Sequence, residues 1–404
     1  MSDKWLWVIG GGLLQIPLIE EARTLNLKIL VTDMSSFCPA RDLADRFEAV
    51  DIFDITANLN LCKQLIDENM AIAGVLAAGI DAPETMAKLN EYLGLKGVSS
   101  KVARQIQQKD LFRQAMQDKG YPVPRFAVVS ETQEISSAIE KVKFPLIVKP
   151  PANSASRDMK IFSEKEIDEC ISFITDLLKK YDRILVEELW EGLEQTVECL
   201  VDINGEFHDG FITDRHFTFE NNFPVETGLV HPTEIPKSLQ VDLYALAKQL
   251  ANDFDIAAGA VKLDTILTKN GPRIIEMTVR HSGGFDCQYL VPLSTGKNIL
   301  LAAIYTAIQQ RFPDELLSPR WKKFGVTGSV WPNPGTIESI SGLDQAKASK
   351  GVKHIFLRYE QGDKIEPYDN CAKRVAFIIC VADSRGGAID CLQKAQATLD
   401  IKTV

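Results

Sequence analysis

No two of the eight cysteines stand closer than nine positions, which excludes CxxC redox chemistry and the paired thiolates of a structural zinc site. The five histidines form neither HExxH nor HxxxH, so the common helical zinc sites are absent as well. Positive charge is in deficit: 45 Lys and Arg face 55 Asp and Glu, a formal net charge of −10. No global positive field exists to hold a polyphosphate backbone, and nucleic acid is not expected as a partner. Long apolar runs are missing too. The stretch from Trp5 to Ile19 is broken by Gly10, Gly11, Gly12 and Pro17 and flanked by Asp3, Glu20 and Glu21, so it reads as a buried strand and a turn. Elsewhere no window approaches the roughly 18 apolar residues of a membrane helix. Scattered, reduced thiols and no membrane partner are read as a cytoplasmic protein.

What is present is ordinary globular material: 404 residues, 45% hydrophobic and 25% charged, enough for two or three domains with their own cores. Over residues 1–103, apolar strands at Trp5–Ile9, Leu27–Thr32 and Gly74–Ala78 alternate with helical stretches, the pattern of parallel βαβ units. Gly10-Gly11-Gly12-Leu13-Leu14-Gln15 follows the first strand. It has Gln15 where a dinucleotide fingerprint has its third glycine, so a tight turn with close packing is the preferred reading. Near residue 104 the texture changes to a charged helix (Arg104–Lys119) and then to an α+β pattern that runs to about 320. A third region, 321–404, reads as a small antiparallel module covered by a last helix at Gly387–Leu399.

Three segments carry chemistry. Lys149 ends an apolar strand and precedes a loop of small residues, Pro150 to Arg157, the composition of a phosphate cradle. Val186 to Glu194 (VEELWEGLE) places four carboxylates and two large apolar residues between strands. Lys262-Leu263-Asp264, a turn at Gly271, and Glu276-Met277-Thr278-Val279-Arg280 predict a hairpin. Such a hairpin sets Asp264 beside Glu276, two carboxylates able to share hard divalent cations that bridge phosphates, with Arg280 facing the same anion.

Lys109, Lys149, VEELWEGLE, Asp264 and EMTVR, in this order and spacing, resemble the ATP-grasp superfamily over nearly the whole chain. The resemblance implies a Rossmann-like first domain (1–103), a two-subdomain ATP-grasp core (104–320, subdomain boundary near 186–190), and a C-terminal α+β domain (321–404) like that of carboxylate-amine ligases. It implies that Lys109 and Lys149 contact ATP phosphates and that Ser154 and Ser156 cover them. Glu187, Glu188, Leu189 and Trp190 would recognise adenine, and Glu194 the ribose. Asp264, Glu276 and Thr278 would hold Mg2+, with Mn2+ as a substitute, and Arg280 would stabilise the acyl phosphate and the tetrahedral intermediate. Thr278 stands where the family's E-x-N-x-R pattern has Asn, and a hydroxyl is a weaker neutral ligand than an amide carbonyl.

Gly284 occupies the place where biotin carboxylases of the family carry a glutamate base, which disfavours that branch. The run Arg280 to Asp286, with Gly283 and Gly284, instead resembles the glycine-bearing loop of amino-acid and other carboxylate-amine ligases. Thr213 to Pro236 resembles their substrate-side loop, in which Arg215 and His231 are candidate substrate contacts. The activity implied is ATP-dependent amide formation through an acyl phosphate, releasing ADP and phosphate. Its substrates are a small-molecule carboxylate and an amine, one of them an amino acid, and a homodimer is compatible with the resemblance. Two alternatives stand beside it: a purine-biosynthetic carboxylating or formate-activating synthetase, and a non-catalytic ATP-binding regulatory protein.

Overall fold

The computed structural model describes residues 3–153, 156–220 and 223–404, without the side chains of residues 219 and 220. The first region is a parallel sheet of four strands in the order Arg46–Ala49, Lys28–Asp33, Lys4–Ile9, Ala71–Leu76. Helices cover it at Ile16–Thr24, Ile55–Asp67 and Pro83–Tyr92. Leu6, Trp7, Val8 and Ile9 are all fully buried, as expected for a parallel strand covered on both faces. Gln15 braces the glycine turn. Its Oε1 accepts from Gly12 N at 2.8 Å while its amide donates to Ala78 O, tying the turn to the neighbouring strand end.

The charged helix expected at Arg104–Lys119 is two helices, Ser100–Gln107 and Lys109–Asp118, because Gln108 takes an extended conformation (ψ 105°). This break puts Lys109 at a helix start, where its N–H donates to Pro151 O at 2.9 Å. A small antiparallel sheet follows, ordered Phe126–Val129, Ile184–Glu188, Leu146–Lys149, Lys160–Phe162. Ile135–Val142 and Ile167–Leu177 pack on it and close a core of its own around Val148, Phe162, Ile174 and Val186.

The third sheet has eight strands, ordered Gly271–Thr278, Gly259–Thr268, Leu193–Val201, Phe207–Glu220, Phe223–His231, Phe324–Val330, Ala376–Ala382, Val352–Leu357. The segment Thr213 to Pro236, expected as a loop, is thus largely two long paired strands. The C-terminal region is joined to the same sheet through Phe223–His231 and Phe324–Val330, in which Gly228 faces Gly328. A Cβ on Gly328 would lie 2.4 Å from a Leu392 methyl, so the covering helix Arg385–Thr398 sits against bare backbone here. The helix Ile299–Ala307, within the span read as ATP-grasp core, buries Leu300, Ala303 and Ile304 in the core of the first region. The first and middle regions therefore share apolar packing and not only a linker.

Candidate active site

Three of the four sheets among the described residues turn residues toward one cleft of about 1280 Å³. Its floor on one side is the end of the strand Leu146–Lys149, whose last residue is buried with the charge on its side chain. Lys149 Nζ pairs with Glu187, and Glu187 pairs in turn with Arg113. Arg113 also donates to Ile275 O at 2.5 Å, so one guanidinium ties the small sheet to the large one. Burial alone would raise the Glu187 carboxyl, but Arg113 and Lys149 outweigh it and hold it at about 2. Burial, reinforced by Arg113, pulls the Lys149 ammonium below its ordinary range, and Glu187 opposes this.

Lys109 enters the cleft from its helix start. Its Nζ donates to Asn153 O at 2.7 Å and lies 3.2 Å from Glu276 Oε1. Leu189, Trp190 and Glu194 line the same half with Ile147, Ile161 and Ile266, an apolar slot with a carboxylate at its edge. The backbone N–H groups of Glu188 and Leu189 are already donated to Arg125 O and Pro145 O. Ser156 also lines the cleft; Ser154 lies outside the described residues.

The hairpin forms as expected, with Asp264 directly opposite Glu276 in register. Asp264 is surrounded by cationic and hydroxyl partners: Lys262 Nζ at 2.5 Å, Arg215 Nη1 at 3.1 Å and Thr196 Oγ1 at 3.2 Å. Burial would raise its carboxyl, yet Arg215 and Lys262 prevail and place it far below the carboxylate range. Two carboxylates opposed across adjacent strands are hard oxygen donors, and their present partners are the charges a divalent cation would displace, so the residues fit such an ion. Thr278 lines the cleft beside them, its hydroxyl 3.4 Å from Arg280 O.

Arg280 follows the hairpin and is fixed from the first region: Nε donates to Asp81 Oδ1 at 2.7 Å, with Nη2 at 2.5 Å from the same oxygen. The following loop is anchored twice more. Gly79 N donates to His281 O at 3.0 Å, and buried Glu198 accepts from Ser282 N at 2.8 Å and pairs with His281 Nδ1 at 2.7 Å. Gly283 and Gly284 line the cleft, and Gly284 (φ +66°) takes the left-handed backbone that glycine allows. Next to them Asp286 is fully buried, with Oδ1 accepting from Thr213 and Oδ2 without a partner among the described residues. Burial, with Glu198 adding to it, pushes this carboxyl well above its ordinary range.

The match of residues 107–284 to the family model of the phosphoribosylglycinamide synthetase ATP-grasp (A) domain agrees with this geometry, and residues 330–404 match L-amino acid ligase C-terminal domain 2. The chain therefore carries an ATP-grasp domain and a C-terminal domain of the L-amino acid ligase type. It is 23% identical over 390 residues to the uncharacterised protein y4rH of Sinorhizobium fredii, covering 95% of this chain and 79% of that one. To the L-arginine-specific L-amino acid ligase of Bacillus subtilis it is 22% identical over 364 residues, 87% of this chain and 86% of the relative. The solved L-amino acid ligase from Bacillus licheniformis superposes over the whole of both chains with a TM-score of 0.83 at 22% identity. ATP-grasp enzymes use ATP with a divalent metal, and the related ligases act on small molecules.

Against this ATP-grasp frame the expected site residues divide. Lys109, Lys149, Ser156, Leu189, Trp190, Glu194, Arg215, Asp264, Glu276, Thr278, Arg280, Gly283 and Gly284 all line the cleft. Glu187 does not: its carboxylate is occupied by Lys149 and Arg113 beneath the floor, so its side chain orders the lysine and cannot read adenine. Glu188 turns outward to Arg125 at 3.2 Å. His231 is a core residue, its Nδ1 2.7 Å from Ser294 Oγ and its ring edge-on to Phe211. Burial brings its imidazole down to about 3, so it stays neutral, and it does not line the cleft.

Sequence reasoning missed Asp81, Arg113, Arg358 and Arg374, of which all but Arg113 line the cleft. Arg113 was within reach, being four positions after Lys109 on one helix face. Asp81 was also accessible, since ligands gather at the carboxyl ends of parallel strands and it follows Ala71–Leu76. No local signal marks Arg358 or Arg374.

Proposed function

We propose that the enzyme joins a carboxylate to an amine at the expense of ATP, through an acyl phosphate, with an amino acid among its substrates. The observation that carries this reading is convergence: Lys109, Lys149, the Asp264 and Glu276 pair and Arg280 all meet in one cleft. Lys149 and Lys109 supply point charges to the phosphates, and the apolar slot from Ile147 to Ile266 accepts the base, with Glu194 at the ribose. Asp264 and Glu276, with Thr278, would hold magnesium, which would neutralise charge on the triphosphate. The substrate carboxylate attacks the γ-phosphorus in line and ADP leaves. Arg280, held by Asp81, then faces the charge that develops on the acyl oxygen as the amine attacks and phosphate departs. Closure over the cleft protects the acyl phosphate from water. The eight cysteines, all free and buried, suit a cytoplasmic setting.

Carboxylate labelled with heavy oxygen should deliver one label to inorganic phosphate, and hydroxylamine should trap the activated acyl group as a hydroxamate. Label retained wholly in product, with AMP and pyrophosphate, would mean adenylation and end this reading. A second reading is kept because residues 107–284 match a purine-biosynthetic ATP-grasp domain: ADP release that depends on bicarbonate or formate would favour it.

A further inference from the structure

Every other cation whose partners have been described in this cleft meets a carboxylate. Lys109 pairs with Glu276, Lys149 with Glu187, Lys262 with Asp264, Arg280 with Asp81, and Arg215 with Glu194, Glu226 and Asp264. Arg374 lies 3.5 Å from Glu226 and stacks over the Phe377 ring at 4.8 Å. Arg358 differs. It lines the cleft at the end of the strand Val352–Leu357 and has no carboxylate within ion-pair distance among the described residues. Its Nη1 donates to Ala372 O and, at 3.4 Å, to Arg374 O. Those carbonyls fix the plane of the guanidinium, and its Nε and Nη2 edge makes no hydrogen bond among the described residues. That edge is the fork that binds a carboxylate side-on with two parallel bonds. Arg358 is an exposed residue, so this edge is open to a ligand entering from solvent.

The walls beside it are Leu13, Leu14, Leu357, Phe285 and Phe377, with Phe285 and Phe377 rings 5.0 Å apart. Such walls suit an apolar side chain and offer nothing to sugar hydroxyls, whose burial without partners is costly. We propose that Arg358 binds the free carboxylate of the amine substrate, so that the amine is itself an amino acid with an apolar side chain. This rests on the ligase reading above. A phosphate monoester would present the same oxyanion, and the test separates the two.

Wild type, Arg358→Gln and Arg358→Lys are compared with leucine, leucinamide and O-phosphoethanolamine as acceptors, at fixed ATP and acyl donor, with products resolved by mass. Wild type should prefer leucine to leucinamide in kcat/KM by about 10- to 100-fold, the range of a charge-assisted pair. In Arg358→Gln most of that ratio should vanish through a higher KM for leucine, with the KM for leucinamide in place. Arg358→Lys should fall between, since it keeps the charge without the fork. A ratio unchanged in Arg358→Gln overturns the proposal, as does a wild type indifferent to the carboxylate. O-phosphoethanolamine preferred in wild type and lost in the variant makes the anion a phosphate, and the amino-acid assignment fails. If wild type forms no hydroxamate with any donor, the ligase reading itself falls and takes this one with it. Hydroxamate formed with the ratio unchanged removes only the role of Arg358.

Discussion

The two ends of the cleft are built differently. At the end proposed for the nucleotide, Arg113, Glu187 and Lys149 have side chains only 2–8% exposed, and Glu187 is paired with both cations. At the end proposed for the substrates, Arg215 is shared among three carboxylates, Arg280 leans on a residue from another region, and the Arg358 guanidinium donates, among the described residues, to carbonyls alone. The first end is pre-formed and indifferent to what the enzyme ligates. The second is a set of charges whose partners can be exchanged, which is what a site needs if it is to bind metal, acyl group and amine in turn. On the proposed function, fixed charges would serve the constant substrate, ATP, and exchangeable ones the variable substrates.

Neutralising the metal-side carboxylate should have the largest effect on this division. Glu276→Gln keeps the shape and removes a charge opposite Asp264, so turnover should fall on the order of 10³-fold or more, the rate equivalent of several kcal/mol. ADP release under saturating ATP measures it. A variant within tenfold of wild type would show that the exchangeable end does not depend on this ligand.

Breaking the fixed end should damage the fold and not the chemistry directly. Arg113→Ala leaves Glu187 with Lys149 alone in a buried setting and should cost about 3–5 kcal/mol of stability. Urea unfolding reads this. Sign and pH window follow from the Glu187 carboxyl, held at about 2 against 4.5 in the unfolded chain. Its contribution is fully present above about 4.5 and is lost as pH falls toward 2, so the acid limb of wild-type stability should flatten in Arg113→Ala.

Arg280→Lys sharpens the comparison from the other side. The charge stays but the planar fork that meets Asp81 and the acyl oxygen is gone, so turnover should drop about 100-fold, roughly the 3 kcal/mol of a lost oxyanion donor. ATP affinity by calorimetry should stay nearly constant, because the nucleotide is held at the other end. A matching loss of ATP affinity would merge the two ends into one.

The smallest effect is expected at Thr278. Thr278→Asn should be tolerated and lower the magnesium needed for half-maximal rate, whereas Thr278→Val should raise it, each by about two- to fivefold on the scale of one weak neutral ligand. Rate against free magnesium decides. Identical curves for both variants would take Thr278 out of the metal set.

This contrast also explains what could be read without coordinates. The nucleotide end draws on a contiguous span, Lys109 to Glu194, in which each functional residue sits at a strand or helix end with a recognisable texture. The substrate end is assembled from positions as distant as Leu13, Asp81, Phe285 and Arg358. Spacing carries no information about such convergence, which depends on how the regions pack. Glu187 and His231 were misread for a related reason: an acidic residue beside a loop and a loop histidine look available in sequence, and only burial shows that Lys149 and Ser294 already hold them. Thr213 to Pro236 was taken for a loop because its strand residues mix charge and glycine. Their pairing is set by partners at Glu194–Val201 and Gly325–Gly328, the latter almost a hundred residues away.

That distant pairing bears on how the polypeptide is made. Until Phe324–Val330 emerges from the ribosome, Phe223–His231 has a neighbour on one side only, and its other backbone edge is bare. A bare strand edge is a template for another chain. Any product ending near residue 320 would keep that edge exposed for its lifetime, and would also lack Arg358, Arg374 and Phe377 from the wall of the cleft. The last 80 or so residues therefore act as a seal during biogenesis as well as a wall in the finished enzyme, and loss of either service should be felt first as aggregation.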